Sequence, residues 1–331
     1  MQVLAWHSIV TTIGSDITYA QQLLEAGGVV AIPTETVYGL AGNAYDEAAV
    51  LKIFCIKQRP SFDPLIVHAS CIEQIQGFVK RFPTKALKLA RRFWPGSLTL
   101  VLEKKSAIPY IVTSGLSSVG VRVPQHAQTL PLLCRLNFPL AAPSANPFGY
   151  ISPTTPQHVQ EQLGGKVPYI LQGGACTVGV ESTIVGFEGE RPIVYRLGGV
   201  SIEAIERVIG PVQVRQVNNN LPQAPGMLAN HYAPKKPLMV GLLPTLLAQH
   251  TAQRVGILAF QQPFPGVVRD QQVVLSPIGS LCEAAQNLFA ALRTLDAMPV
   301  EAILATFVPD TGIGRAINDR LKRAATHWVA C

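Results

Sequence analysis

Two short polar clusters, far apart in the chain, carry the side-chain types that proteins use to hold phosphate oxygens. The first contains Lys57 and Arg59, and the second contains Ser144 and Asn146. Each cluster borders an apolar segment of the kind that forms a strand, and prolines stand beside both. Ammonium, guanidinium, hydroxyl and amide groups all donate hydrogen bonds to phosphate oxygens. The two clusters therefore predict a nucleotide site that is assembled from distant segments.

The common glycine-rich phosphate loops are absent from this sequence. It contains no G-x-x-x-x-G-K-S/T segment and no complete G-x-G-x-x-G segment. A bound nucleotide would accordingly be held by side chains. Ala142, just before the second cluster, is small enough for a ligand to approach the backbone, although an Asn/Ser turn closed by proline explains the same segment.

Further polar residues stand where apolar strands end. Thr34 and Thr36 follow the apolar run at 29–32, where they could grip a small polar substrate or simply stabilise a polar turn. His68 closes another apolar run. It is either a core histidine with satisfied hydrogen bonds or a donor to a substrate carboxylate or hydroxyl.

Arg122 lies inside an apolar strand, with a valine on each side. A buried arginine requires an anionic partner, because an unpaired buried charge is unfavourable. A protein carboxylate or a ligand carboxylate or phosphate would serve equally well. The chain holds only 20 acidic residues, which favours a ligand as the partner.

Two later segments repeat the combination of hydroxyl and arginine. Ser182 follows a glutamate, and Arg196 ends an apolar run before a glycine turn. Tyr232 stands between rigid prolines, in a segment that could fold over a site as a lid or only anchor a tether to the surface. Since each cluster borders a strand, the set could line one pocket.

The bulk composition favours a packed globular protein with about two domains. Of its 331 residues, 48% are hydrophobic and 14% are charged. The net charge of +7 suits an anionic partner such as a nucleotide or RNA, and equally suits solubility alone. The six cysteines form no C-x-x-C pair, which is typical of reduced thiols. Without a signal-peptide pattern or an apolar run of bilayer length, we expect a cytoplasmic protein with no membrane partner.

Capping residues and apolar periodicity predict an α/β protein. Asp16, Asp46, Thr84 and Thr155 each stand at the start of a helical pattern. A further helix is predicted at 202–209. Apolar runs predict strands at 65–68, 98–102 and 119–123, and a hairpin that joins 183–187 to 193–197.

The same patterns divide the chain into three parts. Residues 1–210 form a mixed α/β domain. Residues 211–237 are rich in proline and asparagine and predict an extended interdomain linker, or lid. Residues 238–331 alternate strands with helices, which is typical of a small Rossmann-like domain with a parallel sheet.

Taken together, these motifs resemble the YrdC-type family of threonylcarbamoyl-AMP synthases, in its two-domain form with an added C-terminal domain. The resemblance extends through almost the whole chain. It rests on P-T-E-T-V-Y-G-L at 33–40, K-x-R-P at 57–60, P-L-I-V-H at 64–68, W-P-G at 94–96, L-T-L at 98–100, G-V-R-V-P at 120–124, A-A-P-S-A-N at 141–146, E-S-T-I-V at 181–185, R-x-G at 196–198, P-G-M at 225–227 and H-Y-A-P at 231–234.

The resemblance implies a fold and a reaction. The N-terminal domain would be a mixed twisted sheet with helices around a concave site, followed by the Rossmann-like domain. The enzyme would join L-threonine, bicarbonate and ATP into threonylcarbamoyl-AMP and release pyrophosphate. A partner threonylcarbamoyl transferase would then modify an adenosine beside the tRNA anticodon, so that tRNA is an indirect partner.

The resemblance also implies roles for single residues. The residues implied to line the nucleotide-phosphate region, and therefore to be catalytic, are Lys57, Arg59, Ser144 and Asn146. Further ATP contacts fall on Asp63, Ser118, Ser152, Arg196 and Tyr232. Threonine contacts fall on Thr34, Thr36, His68, Arg122, Ala142 and Ser182, with the arginine holding the carboxylate by a bidentate pair.

One position departs from the family pattern. Many members carry asparagine where this chain has Asp63. A carboxylate near ATP phosphates would repel them unless a metal ion or Lys57 lay between. The implied chemistry needs no protein nucleophile and no organic cofactor, and Mg²⁺ would arrive on the ATP phosphates without a protein metal site of its own.

Two other functions fit parts of the same sequence. A non-enzymatic module that binds double-stranded RNA or tRNA would use the positive net charge, and its affinity would depend on salt. A transferase relative that uses carbamoyl phosphate would turn over that compound instead.

Overall fold

The computed structural model describes residues 10–215, 231–250 and 254–328. Its strands are β1 (Thr12–Gly14), β2 (Val30–Ile32), β3 (Gly39–Asn43), β4 (Ile66–His68), β5 (Leu98–Glu103), β6 (Ser118–Arg122), β7 (Leu140–Ala141), β8 (Tyr169–Leu171), β9 (Thr183–Glu188), β10 (Arg191–Arg196), β11 (Gln213–Val214), β12 (Leu238–Val240), β13 (Val255–Ala259), β14 (Gln272–Val274), β15 (Ala302–Ala305) and β16 (His327–Trp328). Its helices are α1 (Ile17–Glu25), α2 (Glu47–Lys57), α3 (Ile72–Phe78), α4 (Thr84–Phe93), α5 (Thr129–Arg135), α6 (Pro156–Leu163), α7 (Ile202–Ile209), α8 (Leu243–Gln249), α9 (Leu281–Ala297) and α10 (Gly314–Ala324), with a 3₁₀ turn at Arg269–Gln271.

The N-terminal strands form one mixed sheet, as the sequence predicted. Its strand order is β1-β8-β2-β3-β7-β4-β6-β5-β9-β10-β11. The pairs β4–β6 and β5–β9 are parallel, whereas β2–β3, β3–β7, β4–β7, β5–β6 and β9–β10 are antiparallel. The mixed α/β class of this part is therefore confirmed.

Local capping explains where several helices begin and end. The side chain of Asp16 accepts hydrogen bonds from the first backbone N–H groups of α1, and Asp46 does the same for α2. α2 ends because Gln58 adopts the left-handed conformation, with φ 53°. This turn sets the direction in which Arg59 leaves the helix.

The C-terminal strands form a second sheet, in which every pair is parallel. Its order is β14-β13-β15-β12-β16. Because β12, β13 and β15 are buried along their whole length, they are apolar throughout and do not alternate. The predicted Rossmann-like parallel sheet is confirmed.

Loops of the N-terminal unit contribute to the apolar core of the C-terminal sheet. Val37, Ile151 and Val180 of the N-terminal part belong to the same buried cluster as Leu288 and Phe289 of α9. Gly179 permits the close approach, because a Cβ at this position would lie 2.4 Å from the Cα atom of Gln286, and its φ of +77° also suits glycine. The two units are therefore packed tightly against each other.

The predicted linker at 211–237 is described only in part, since 216–230 lie outside the described residues. β11 falls within the predicted linker and still pairs with β10 of the first sheet. The boundaries at 210 and 237 remain predictions. No helix of the described residues combines the length and the apolar character needed to cross a bilayer.

The sequence did not predict several short elements. β7 has two residues and β8 has three, so neither can display an alternating pattern. β3 has the sequence GLAGN, in which glycine, alanine and asparagine are poor strand formers. Its pairing with β2 and β7 overrides that local preference.

His68 ends β4 and is only 3% exposed. The parallel register of β4 and β6 aligns it with Arg122. Burial, and then the charge of this arginine, lower the pKa of His68 from 6.5 to about 3. The imidazole is therefore neutral in the folded chain at neutral pH.

We expect the free energy of unfolding to decrease as the pH drops below about 6.5, because the unfolded chain takes up the His68 proton first. At about pH 5 this histidine alone accounts for about 2 kcal/mol of lost stability. Urea unfolding at neutral and acidic pH measures the loss, which should be about 2 kcal/mol smaller in the His68→Gln variant. The control His327→Gln changes an exposed residue of the edge strand β16 and should lose as much as the wild type. Equal losses in both variants would contradict the role of His68.

Candidate active site

An open cleft lies where the N-terminal sheet meets the residues that precede β12. All of the predicted threonine contacts line it, namely Thr34, Thr36, His68, Arg122, Ala142 and Ser182. The predicted ATP contacts that line it are Arg59, Ser144, Arg196 and Tyr232. The structure therefore brings together side chains from segments that are far apart in the sequence.

The other predicted site residues are not part of the cleft wall. These are Lys57, Asp63, Ser118, Asn146 and Ser152. Ser118 begins β6, whereas Arg122 ends the same strand, so the two are about 13 Å apart along it. Each of the other four contacts a residue that lines the cleft.

Lys57 joins the two polar clusters. It is 1% exposed, and its Nζ donates to the backbone carbonyls of Ser144, at 2.5 Å, and Asn146, at 2.6 Å. Burial, and then the neighbouring charge of Arg59, hold the pKa of Lys57 well below its usual value. The lysine therefore fixes the path of the 144–146 loop, which carries Ser144 into the cleft.

Asp63 is the counter-ion of Arg59. The Oδ2 atom of Asp63 lies 2.8 Å from Nη2 of the arginine, which also donates to the carbonyl of Pro64 at 2.8 Å. Asp63 is fully buried. The expected repulsion between this carboxylate and a phosphate is therefore offset by the arginine that lines the cleft.

The turn between β2 and β3 uses both threonines. The Thr34 hydroxyl accepts from the backbone N–H groups of Thr36 and Val37 and donates to the carbonyl of Val37 at 2.7 Å. The two threonine hydroxyls are 2.8 Å apart. Thr34 thus stabilises a polar turn, which is one of the two roles that the sequence allowed. Its hydroxyl also orients that of Thr36.

Arg122 has a protein carboxylate as its partner. Its Nη2 lies 2.6 Å from Oε1 of Glu35, and its Nη1 and Nε donate to the Thr36 hydroxyl, at 2.9 Å, and the Gly96 carbonyl, at 3.1 Å. Of the two partners that the sequence allowed, a protein carboxylate is present although the scarcity of acidic residues favoured a ligand, because that scarcity says nothing about where a single glutamate lies. The contact with Glu35 is ionic but not aligned as a hydrogen bond, so Nη2 has no hydrogen-bond acceptor among the described residues.

Ser182 and Arg196 contact each other on the opposite wall. The arginine Nε donates to the Ser182 carbonyl and its Nη2 to the Ser182 hydroxyl, both at 3.1 Å. Ser152 is fully buried and donates to Oε1 of Glu181 at 2.6 Å. Burial lowers the pKa of Arg196 to about 10. Because Ser152 is buried and its hydroxyl donates to Glu181, it contacts the wall from behind and does not face the cleft.

His231 and Tyr232 close one side of the cleft. Tyr232 is 1% exposed, has a φ of 70°, and stacks on Phe289 with ring centroids 5.6 Å apart. The rings of His231 and Tyr232 lie 4.1 Å apart. Burial, followed by the charges of nearby arginines and Lys57, holds the pKa of His231 well below its usual value. The imidazole of His231 is therefore uncharged at neutral pH, and both rings are buried in the wall.

Buried polar atoms without hydrogen-bond partners cluster around this cleft. They include Nδ1 of His68, Nη2 of Arg122, Oδ1 of Asn146, Nδ1 of His231 and Oη of Tyr232. Each such atom costs about 1–3 kcal/mol in a folded protein unless water or a ligand completes its hydrogen bonds. Their concentration in one place indicates a site for a polar ligand.

Residues without a predicted role also line the cleft. They are Val37, Gly39, Ile66, Pro143, Glu181 and His231. Glu181 and His231 stand in the E-S-T-I-V and H-Y-A-P motifs, so adjacency to a predicted residue was the available signal. Among the described residues, no three histidine, cysteine or acidic side chains are grouped to hold a metal ion.

Comparisons with known proteins agree with this architecture. A family model described as "Telomere recombination" matches residues 22–198, and one described as "Threonylcarbamoyl-AMP synthase, C-terminal domain" matches residues 200–326. The threonylcarbamoyl-AMP synthase of Pyrococcus abyssi is 40% identical over 323 residues, which cover 95% of each chain. That of Bacillus subtilis is 40% identical over an alignment of 340 positions, gaps included, which covers 98% of each chain.

A solved structure is similar over both sheets. The crystal structure of P. abyssi Sua5 complexed with L-threonine has a TM-score of 0.89 and 37% sequence identity, and the match covers 97% of this chain and 99% of that chain. The relatives thus match this chain from end to end, including its second sheet. The chain belongs to the threonylcarbamoyl-AMP synthase family.

Proposed function

We propose that this protein joins L-threonine, bicarbonate and ATP into threonylcarbamoyl-AMP and pyrophosphate. The observation that carries the proposal is the group of buried polar atoms without partners around one cleft, in a chain of this family. These atoms stand on two sides, beside Arg122 and beside Tyr232. Two different polar ligands would occupy the two sides.

Threonine would bind beside Arg122. Nη2 of this arginine is ion-paired with Glu35 but has no aligned hydrogen-bond acceptor among the described residues, so it can still donate to a carboxylate. Glu35 and Thr36 hold the guanidinium in place before the ligand arrives. His68 is neutral, so its unpartnered Nδ1 can exchange hydrogen bonds with the hydroxyl or the amino group of threonine without repelling an ammonium. Ala142 leaves room at the wall, and Ser182 adds a hydroxyl.

ATP would bind on the other side, along Arg59, Ser144, Arg196 and Tyr232. The arginines offer charge to the phosphates, and the tyrosine offers an unpartnered hydroxyl. The remaining predicted ATP residues support these. Lys57 fixes the loop of Ser144, Asp63 orients Arg59, and Ser152 holds Glu181.

The reaction would depend on positioning and charge. The neutral threonine amine would combine with bicarbonate to form a carbamate, with the bicarbonate hydroxyl and one amine proton leaving as water. A carbamate oxygen would then attack the α-phosphorus and displace pyrophosphate. Arg59 and Arg196 would stabilise the negative charge of the phosphoryl group during transfer. The carboxylates of Glu181, in the wall, and of Glu35, paired with Arg122, are engaged by arginines, so Mg²⁺ would enter on the ATP phosphates and supply further charge there.

The product is an activated mixed anhydride, which requires an acceptor. We propose that a partner threonylcarbamoyl transferase passes the group to an adenosine beside the tRNA anticodon. The segment that ends at His231 and Tyr232 would act as a lid over the bound substrates. Its P-G-M part, at 225–227, lies outside the described residues.

Pyrophosphate release should require L-threonine, bicarbonate and ATP together, because the attacking carbamate cannot form without the amine. A coupled pyrophosphate assay with each substrate omitted in turn measures this. Release that does not depend on threonine would contradict the proposal. Salt-sensitive RNA binding without ATP turnover would favour the RNA-binding alternative. Turnover of carbamoyl phosphate would favour the transferase alternative that uses this compound.

The Arg59→Ala variant should raise the KM for ATP by about tenfold or more, and Arg122→Ala should do the same for threonine. Each change removes a charge from only one side of the cleft. Steady-state kinetics with one substrate varied at a time separates the two effects. The control Arg81→Ala removes an exposed charge and should change neither constant. Equal losses for both substrates in both variants would contradict the division of the cleft.

A further inference from the structure

We infer that Arg320, on helix α10 of the C-terminal unit, is a positioning residue for the nucleotide side of the active site. This inference rests on the proposed function. The C-terminal unit then contributes to the active site, because one of its side chains determines the placement of residues that line the cleft.

The guanidinium group of Arg320 forms all of its hydrogen bonds within the protein. The side chain is completely buried, with 0% exposure. Its Nε donates to Oε2 of Glu181 at 2.7 Å, its Nη2 to the Leu197 carbonyl at 2.9 Å, and its Nη1 to Oδ2 of Asp319 at 2.5 Å. Since every guanidinium nitrogen has a protein acceptor, Arg320 acts on the ligand only through its neighbours.

These neighbours stand at the open end of one hairpin. Glu181 and Ser182 precede β9, and Leu197 follows Arg196 at the end of β10. The two strands are antiparallel, so their start and end lie side by side. Arg320 therefore holds together the two chain segments that carry Ser182 and Arg196 into the cleft.

Arg320 also balances the charge of Glu181. Glu181 is 6% exposed and lines the same cleft as Arg59 and Arg196. Without a counter-ion, its carboxylate would repel ATP phosphates in a low-dielectric setting. Although burial acts in the opposite direction, the charges of Arg320 and Arg196 keep the pKa of Glu181 below its usual value. The negative charge of Glu181 is thereby compensated before the nucleotide binds.

The aromatic part of the wall is a third contact. The Arg320 guanidinium lies 4.9 Å from the ring centroid of Tyr232, and Phe289 stacks on that ring. The hydroxyl of Tyr232 has no partner among the described residues, which marks it as a group available to a ligand. Arg320 thus contacts Glu181, the segment that follows Arg196, and Tyr232.

The test uses the full chain and two readouts, ATP affinity by calorimetry and the KM for each substrate. Arg320→Met should weaken ATP binding about tenfold or more, because it leaves a buried carboxylate uncompensated beside the phosphates. The KM for threonine should change less, because Ser182 is the one proposed threonine contact on the segments that Arg320 holds, whereas Arg122 and His68 lie on other strands. Arg320→Lys keeps the charge and should recover part of the ATP affinity. The control Arg315→Met lies on the same helix at an exposed ion pair and should bind ATP like the wild type.

A double variant separates positioning from general stability. Glu181→Gln combined with Arg320→Met removes the uncompensated charge, so its ATP affinity should exceed that of Arg320→Met alone. If Arg320→Met is folded by circular dichroism and binds ATP like the wild type, the inference is wrong. It is also wrong if affinity for both substrates is lost equally in Arg320→Met and Arg320→Lys. A wild type that binds ATP but releases no threonine-dependent pyrophosphate would instead contradict the proposed function.

Discussion

The buried ammonium group of Lys57 is the interaction on which the cleft depends. Two backbone carbonyls, those of Ser144 and Asn146, receive its hydrogen bonds at the point where the loop after β7 passes the end of α2. A buried cation without such acceptors would be strongly unfavourable. The loop therefore cannot move away without leaving the charge unsatisfied, and the position of Ser144 is determined by a residue that does not itself face the cleft.

Internal charge compensation extends this principle to the rest of the wall. Arg59 is balanced by Asp63, Arg122 by Glu35, and Glu181 by Arg320. Each pair is held in place by further hydrogen bonds, such as those from Arg59 to backbone carbonyls and from Ser152 to Glu181. Substrates thus meet charged groups whose orientation is already fixed, which reduces the reorganisation that accompanies binding.

The sequence allowed much of the fold and most of the cleft to be predicted. Helix α7 has the predicted bounds, and β9 and β10 form the predicted hairpin, because caps and periodicity act locally. The wall residues were found because each stands in a motif beside a strand end. The function of Lys57 and the partner of Arg122 were not predictable, since both depend on which distant segment lies nearby after folding. Two-residue strands such as β7 carry too little pattern to detect.

The apolar cluster that joins the C-terminal sheet to loops of the N-terminal unit has a consequence for how the molecule can move. Val37 and Val180 belong to the same core as Phe289, and the backbone at Gly179 touches that of α9. Rotation of one unit away from the other would expose this core to water, which opposes a hinge motion between them. Local motion of a loop or a side chain leaves the core buried and is therefore the less costly route for substrate exchange. Heat or denaturant, for the same reason, should melt both units in one cooperative transition.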